Sequence, residues 1–153
     1  FSMKIEEEIE DIISKDIRNL GYILWGIELS GKNNSKLIRV YIDNEDEPIN
    51  LRDCEIVSAQ IKEVLENTEH INFNFILEVS SPGIERTFFS IEQLKSFVEQ
   101  TILVKFEEDS RKDSVLGKLL SVSDNYIEVM NNKKESIKID VNSYITSKLI
   151  YKG

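Results

Sequence analysis

The chain has one cysteine, one histidine and two prolines among its 153 residues, and each scarcity removes a class of chemistry. Cys54 alone leaves no internal disulfide and no cysteine-based zinc cluster, which fits a reducing compartment. It falls in the apolar stripe of a helix and is read as a small core residue rather than a reactive thiol. His70 alone gives no His-x-x-x-His pair for a metal. Neither can it serve Ser80 or Ser81 as a base, because about ten residues of extended chain, roughly 33 Å at ~3.3 Å per residue, separate them. The Gly-x-Ser-x-Gly elbow, the P-loop and Gly-x-Gly-x-x-Gly are all missing. The acidic run Asp43 to Glu47 lacks the glycine and final glutamate of a calcium loop, so it is read as solvated. No catalytic residue, metal or cofactor is therefore expected. No apolar run approaches the eighteen residues of a membrane helix, and the amino terminus lacks a secretion signal; Phe1-Ser2 precede Met3, the expected natural start, and are set aside. The expected location is the cytoplasm.

What is present is acid, and it is unevenly placed. Residues 1–89 carry 9 Lys+Arg against 18 Asp+Glu, net -9, whereas residues 90–153 carry 10 against 10. The first part repels phosphate at long range and favours a basic protein, or a mixed protein and RNA particle, as partner. Apolar residues make up 41% of the chain, enough for a folded core.

Periodicity predicts a helix from Met3 to Asn19, with Ile5, Ile9, Ile12, Ile13, Ile17 and Leu20 on one face and Gly21 as its stop. Residues 22–30 and 36–43 read as an antiparallel hairpin turning at "GKNN", with Ile23, Trp25, Ile27 and Leu29 facing the same side as Ile38, Val40 and Ile42. Asn50 caps a second helix over Leu51 to Asn67, with Asp53 completing a capping box and Leu51, Cys54, Val57, Ile61, Val64 and Leu65 on the apolar face. Residues 71–80 alternate as a third strand. The opposite, half-polar face then presents Leu24, Glu28, Arg39, Tyr41, Ile76, Glu78 and Ser80. Ser90 with Gln93 opens a short connecting helix (90–99), and five short runs between residues 101 and 151 suggest a small β-barrel. The expected fold class is α+β: an N-terminal α-β-β-α-β two-layer domain (3–89) and a C-terminal barrel (90–153).

"LEVSSPGIERTF" (77–88) joins the two. Pro82 and Gly83 occupy the positions that favour a type II turn, where Pro fixes φ and Gly accepts a positive one. Ser80 and Ser81 can satisfy backbone groups around the turn, and Glu85 and Arg86 can pair with each other or with neighbours.

This stretch resembles the signature of the RimP family of ribosome maturation factors. "GYILWGIEL", "LIRVYID", "INLRDCEIVSAQI" and "GKLL" are similar to further landmarks of that family in the same order. Glu85 stands where Asp is usual, which keeps the charge; Thr87-Phe88 stand where Pro-Leu is usual, which loses a ring that would stiffen the exit from the turn. The resemblance implies an SH3-like or Sm-like C-terminal barrel. It also implies a non-enzymatic role: binding the free small (30S) ribosomal subunit, with a basic ribosomal protein and rRNA as contacts, and promoting its assembly. Partner-binding or interdomain roles are expected for Arg39, Tyr41, Glu78, Ser80, Ser81, Pro82, Gly83, Glu85 and Arg86. Contact with rRNA is expected from Lys105 and Lys118 on strands, Arg111-Lys112 in one turn and Lys133-Lys134 in another. A monomer with no membrane attachment is expected. The competing reading is a stand-alone RNA-binding module using the basic loops of the barrel, against which stands the shortage of aromatic residues for base stacking beyond Tyr126, Tyr144 and Tyr151.

Overall fold

A computed structural model describes residues 5–32 and 35–151. The expected helix start at Met3 and the turn residues Asn33-Asn34 lie outside the described residues. The chain divides into two compact units, Phe1–Pro82 and Gly83–Gly153. The division falls earlier than residue 89 because Thr87 and Phe88 pair with the last strand of the second unit.

In the first unit, α1 (Ile5–Asn19) buries Ile9, Ile13 and Ile17, spaced by four so that they form one stripe. Glu6, Glu7 and Glu8 sit in its first turn and Arg18 in its last, matching the helix dipole at both ends. The helix stops at Gly21, whose φ of +94° suits glycine and whose N–H reaches the Arg18 carbonyl. Leu20, counted in the apolar stripe from its spacing, lies just beyond the helix and is exposed. α2 (Leu51–Glu66) starts with a complete capping box: the Asn50 side chain accepts from the Asp53 N–H at 2.8 Å, and the Asp53 carboxylate accepts from the Asn50 N–H at 2.9 Å. Tyr22 fastens the same carboxylate, donating its hydroxyl proton to Asp53 Oδ1 at 2.5 Å. Val57, Ile61 and Leu65 form the buried face, whereas Leu51, expected on it, is 76% exposed in the first turn.

These helices cover one face of a three-stranded sheet ordered β1 (Ile23–Lys32), β2 (Ser35–Asp43) and β3 (Asn74–Ser80). β1 and β2 are antiparallel, and β2 and β3 are parallel with α2 as the crossover between them. β3 starts later than residue 71; Ile71 is buried ahead of it, its N–H bonded to the Thr68 carbonyl. A bulge at Trp25 interrupts β1, so Leu24 opposes Ile42 and Gly26 opposes Tyr41. Leu24, expected on the open face, consequently packs against the core, and Ile23 is exposed.

The second unit holds β4 (Thr87–Phe88), α3 (Ile91–Leu94) with a following 3-10 turn (Lys95–Phe97), β5 (Thr101–Glu108), β6 (Arg111–Val122), β7 (Tyr126–Asn131), β8 (Ser136–Asp140) and β9 (Tyr144–Leu149). Ser90 caps α3 by accepting from the Gln93 N–H. The strands pair antiparallel in the order β4-β9-β5-β6-β7-β8. Among the described residues β4 and β8 end the ladder and are not joined, so the pairing is that of an open sheet rather than a closed barrel. Its buried face carries Ile102, Val104, Val115, Leu119, Ile127, Val129 and Ile139. A register shift between Leu119 and Ser121 adds local twist. No helix among the described residues is long and apolar enough to cross a membrane.

Candidate partner-binding surfaces

The sheet register of the first unit builds a charged row across its open face. Glu28 on β1, Arg39 on β2 and Glu78 on β3 are direct neighbours. Arg39 donates from both Nε and Nη2 to Glu78 Oε2, at 3.1 and 2.9 Å. Tyr41, one step along β2 on the same face, donates its hydroxyl to Glu28 Oε1 at 2.5 Å. The hydrogen bond to Glu78 raises the Arg39 pKa further above its ordinary range. Partial burial, and then the Glu28 carboxylate, raise that of Tyr41. Beside the row, Leu37 opposes Ile76, and Ile76 is 62% exposed. The expected Arg39, Tyr41 and Glu78 are thus brought together. Glu28 belongs with them, and the alternation of β1 placed it on this face.

β3 delivers the chain into the signature turn. Ser80 ends the strand, Ser81 and Pro82 follow, and Gly83 adopts φ +85° as a type II turn requires. The expected bonds from the Ser80 and Ser81 hydroxyls to the turn backbone are not found among the described residues. Within the second unit Glu85 accepts from the Tyr151 N–H at 3.1 Å, beyond the end of β9. The Arg86 carbonyl accepts from the Leu149 N–H at 2.8 Å, and its guanidinium lies 5.7 Å from the centre of the Phe97 ring. Each residue therefore has a partner in its own unit.

The six basic residues expected to contact rRNA are all exposed. Arg111 and Lys112 are not in the turn, which is Asp109-Ser110; they open β6, opposite Glu108 and Glu107. Two residues with positive φ, Asp109 and Ser110, make that turn tight enough to pull its flanks into the strands. Lys133 and Lys134 do lie in the β7–β8 turn, where Asn131 Oδ1 accepts from the N–H groups of Lys133 and Glu135. Both turns point to the same end of the sheet, but the second begins level with Gly117, about 20 Å along β6 from Arg111 at ~3.3 Å per residue. Lys118 and Lys134 line an open concavity of about 710 Å³ with Leu116 and Met130, and Lys118 Nζ is 2.7 Å from Glu99. Lys105 and Lys112 line a smaller hollow beside Ile145. The first concavity was hidden in the sequence, because only the register brings Glu99 to Lys118.

Among the described residues, no group of three or more His, Cys, Asp or Glu side chains is placed to hold a metal ion. Cys54 is half-buried against the core, and burial raises its thiol pKa. His70 lines a shallow hollow with Glu8, Asp11 and Ile12, before the start of the strand that Ser80 ends. Residues 12–85, from α1 through the turn at Gly83, match the family model of the RimP N-terminal domain.

Proposed function

From the match of residues 12–85 to the RimP N-terminal domain, we propose that the chain is a member of the RimP family, a cytoplasmic ribosome maturation factor that binds the free small (30S) ribosomal subunit and promotes its assembly. It works by binding, with no covalent step: an occupant that prefers one conformation of a maturing particle shifts the population toward it. The observation that carries this reading is the family match across residues 12–85, which includes the charged sheet face and the signature turn. The six-stranded sheet of the second unit is proposed to curl into an SH3-like or Sm-like shape, with the shift at Leu119/Ser121 supplying curvature.

The acidic first unit is proposed to meet a basic ribosomal protein, through Arg39, Tyr41 and Glu78 and the turn at Ser80, Ser81, Pro82 and Gly83. Lys105, Arg111, Lys112, Lys118, Lys133 and Lys134 are proposed to approach rRNA. Glu107 and Glu108, facing Lys112 and Arg111, limit the positive field there, so protein contact supplies the specificity. The working form is proposed to be a monomer.

Sedimentation of the purified protein with free small subunits, intact ribosomes, naked rRNA and basic ribosomal proteins tests the reading. Selective co-migration with free small subunits is expected. Equal affinity for any RNA would instead identify a stand-alone RNA-binding module.

A further inference from the structure

We propose that the outer edge of β3, Asn74 to Ser80, is a docking edge that takes an extended basic peptide segment as a fourth strand of the first unit's sheet. Among the described residues β3 pairs on one side only, with β2 from Ser35↔Asn74 to Tyr41↔Ser80. Its other side leaves alternate backbone N–H and C=O groups without a strand partner, the arrangement that accepts an added strand.

The two edges of this sheet differ. β1 carries a bulge at Trp25 and, at Gly31, a backbone with φ +99°, and both features spoil regular pairing with another chain. β3 has neither. It contains no proline, no lysine, no arginine and no bulge, and its one charged residue, Glu78, is tied sideways to Arg39. The side chain of Ile76 stands 62% exposed on the same strand. Natural edges are usually blunted, so an unblunted one of seven residues calls for a partner.

Charge selects that partner. Residues 1–82 hold 17 Asp+Glu against 8 Lys+Arg. α2, which packs over β3, exposes Glu63 and Glu66, and Glu69 is exposed on the path into β3. An incoming segment rich in Lys and Arg is therefore attracted, and an acidic one repelled. The open face sets a finer preference. Ile76 and Glu78 are two residues apart on it, so a partner strand presents an apolar residue and, two positions away, a basic one. The inference rests on the reading that a basic protein meets the first unit, and adds the place and the backbone geometry of the contact.

The test uses the full chain and a ten-residue peptide of Val, Thr and Lys with a Val-x-Lys pattern, followed by amide resonance shifts and hydrogen exchange. Shifts and slowed exchange confined to residues 74–80 and their β2 neighbours are expected. Two further peptides of identical charge are N-methylated at alternate residues, one on each set. Methylation of the set facing β3 should weaken binding by about tenfold or more, because several backbone hydrogen bonds are lost together, while methylation of the other set is tolerated. Ile76→Lys, a blunted edge, should also bind weakly while keeping the wild-type Tm. Equal binding of all three peptides, or no binding of the unmethylated one at low salt, overturns the proposal. Co-sedimentation separates the two readings: a wild-type protein that migrates with small subunits but ignores the peptide loses the edge and keeps the function. Peptide capture without any subunit binding does the reverse.

Discussion

Arg39 and Glu78 face each other across the parallel pair β2 and β3, and the guanidinium gives two of its N–H groups to a single carboxylate oxygen, at 3.1 and 2.9 Å. With Glu28 on the other side, the arginine is the single cation between two acids. Both members of the pair are substantially exposed, at 40% and 50%, so the pair adds little to stability. Arg39→Ala should leave Tm almost unchanged, whereas Arg39→Glu, which lines three carboxylates across adjacent strands, should lower it measurably. Combining Arg39→Glu with Glu78→Arg should recover Tm only in part, because Glu28 still faces a carboxylate at position 39, and adding Glu28→Gln should recover the rest. If small-subunit binding stays lost in the triple variant whose Tm has recovered, the row is a recognition surface; thermal melts and sedimentation read both quantities.

Gly83 and Gly117 are glycines for different reasons. A Cβ at Gly83 meets nothing within 4 Å, but the backbone stands at φ +85°, so Gly83→Ala should cost about 1 to 2 kcal/mol for the left-handed conformation alone. Asn should recover part of that loss. At Gly117 a Cβ would collide with the Met130 carbonyl oxygen, so β6 and β7 must separate. Gly117→Ala should therefore cost about 1 to 3 kcal/mol or more, with Asn giving no relief. Denaturant unfolding of the four variants separates the two mechanisms.

The start of α2 should show an acid-side pH dependence. Hydrogen bonds from the Asn50 backbone, and then from the Tyr22 hydroxyl, hold the Asp53 carboxyl below the usual carboxylate range. A group with a depressed folded pKa contributes stability above its unfolded value and loses it as pH falls through the folded one. Asp53→Asn should flatten the fall of Tm with acidification while leaving the neutral side lower. Asn50→Ala, which removes the other half of the box, should cost about 1 kcal/mol near neutral pH.

Truncating the α1 stripe should be far more damaging than any surface change. Ile13 is fully buried between the helix and the sheet, and Ile13→Ala should cost about 2 to 5 kcal/mol through lost burial and the cavity left behind. Ile12, only partly buried on the same helix, should cost distinctly less when changed to Ala. Urea titrations of the two variants provide the comparison.

Arg86→Ala should destabilise the second unit by about 0.5 to 1 kcal/mol through the lost contact with the Phe97 ring. Lysine at that position, keeping charge but not the planar stack, should recover only part. Amide exchange in β9 and the 3-10 turn reports the change locally, since the Arg86 carbonyl holds the Leu149 N–H.

The local features of this fold were written in short patterns. Asn50 with Asp53 announced the cap, Gly83 after Pro82 announced the positive φ, and the spacing of Ile9, Ile13 and Ile17 announced the buried stripe. Strand features that depend on pairing were not. The bulge at Trp25, the strand positions of Arg111 and Lys112, and the small strand Thr87–Phe88 all require knowing the partner strand, which no local window contains. The candidate surfaces divide the same way. Alternation alone placed Arg39, Tyr41 and Glu78 on one face, whereas the concavity holding Lys118 and Lys134 is assembled by register between strands distant in sequence.

Trp25 is a spare residue in this sheet. Strands count in twos, and the bulge holds one residue outside the count, because Leu24 and Gly26 face consecutive residues of β2, Ile42 and Tyr41. Losing Trp25 alone would therefore close the ladder into a regular one, with Leu24 still against the core, Ile23 still outward and Tyr22 still level with Asp53. Gaining a residue is the harder case: a second extra residue between Leu24 and Gly26 has no place in the pairing, and absorbing it turns Leu24 outward or slides Tyr22 away from Asp53. The strand thus has slack in one direction only.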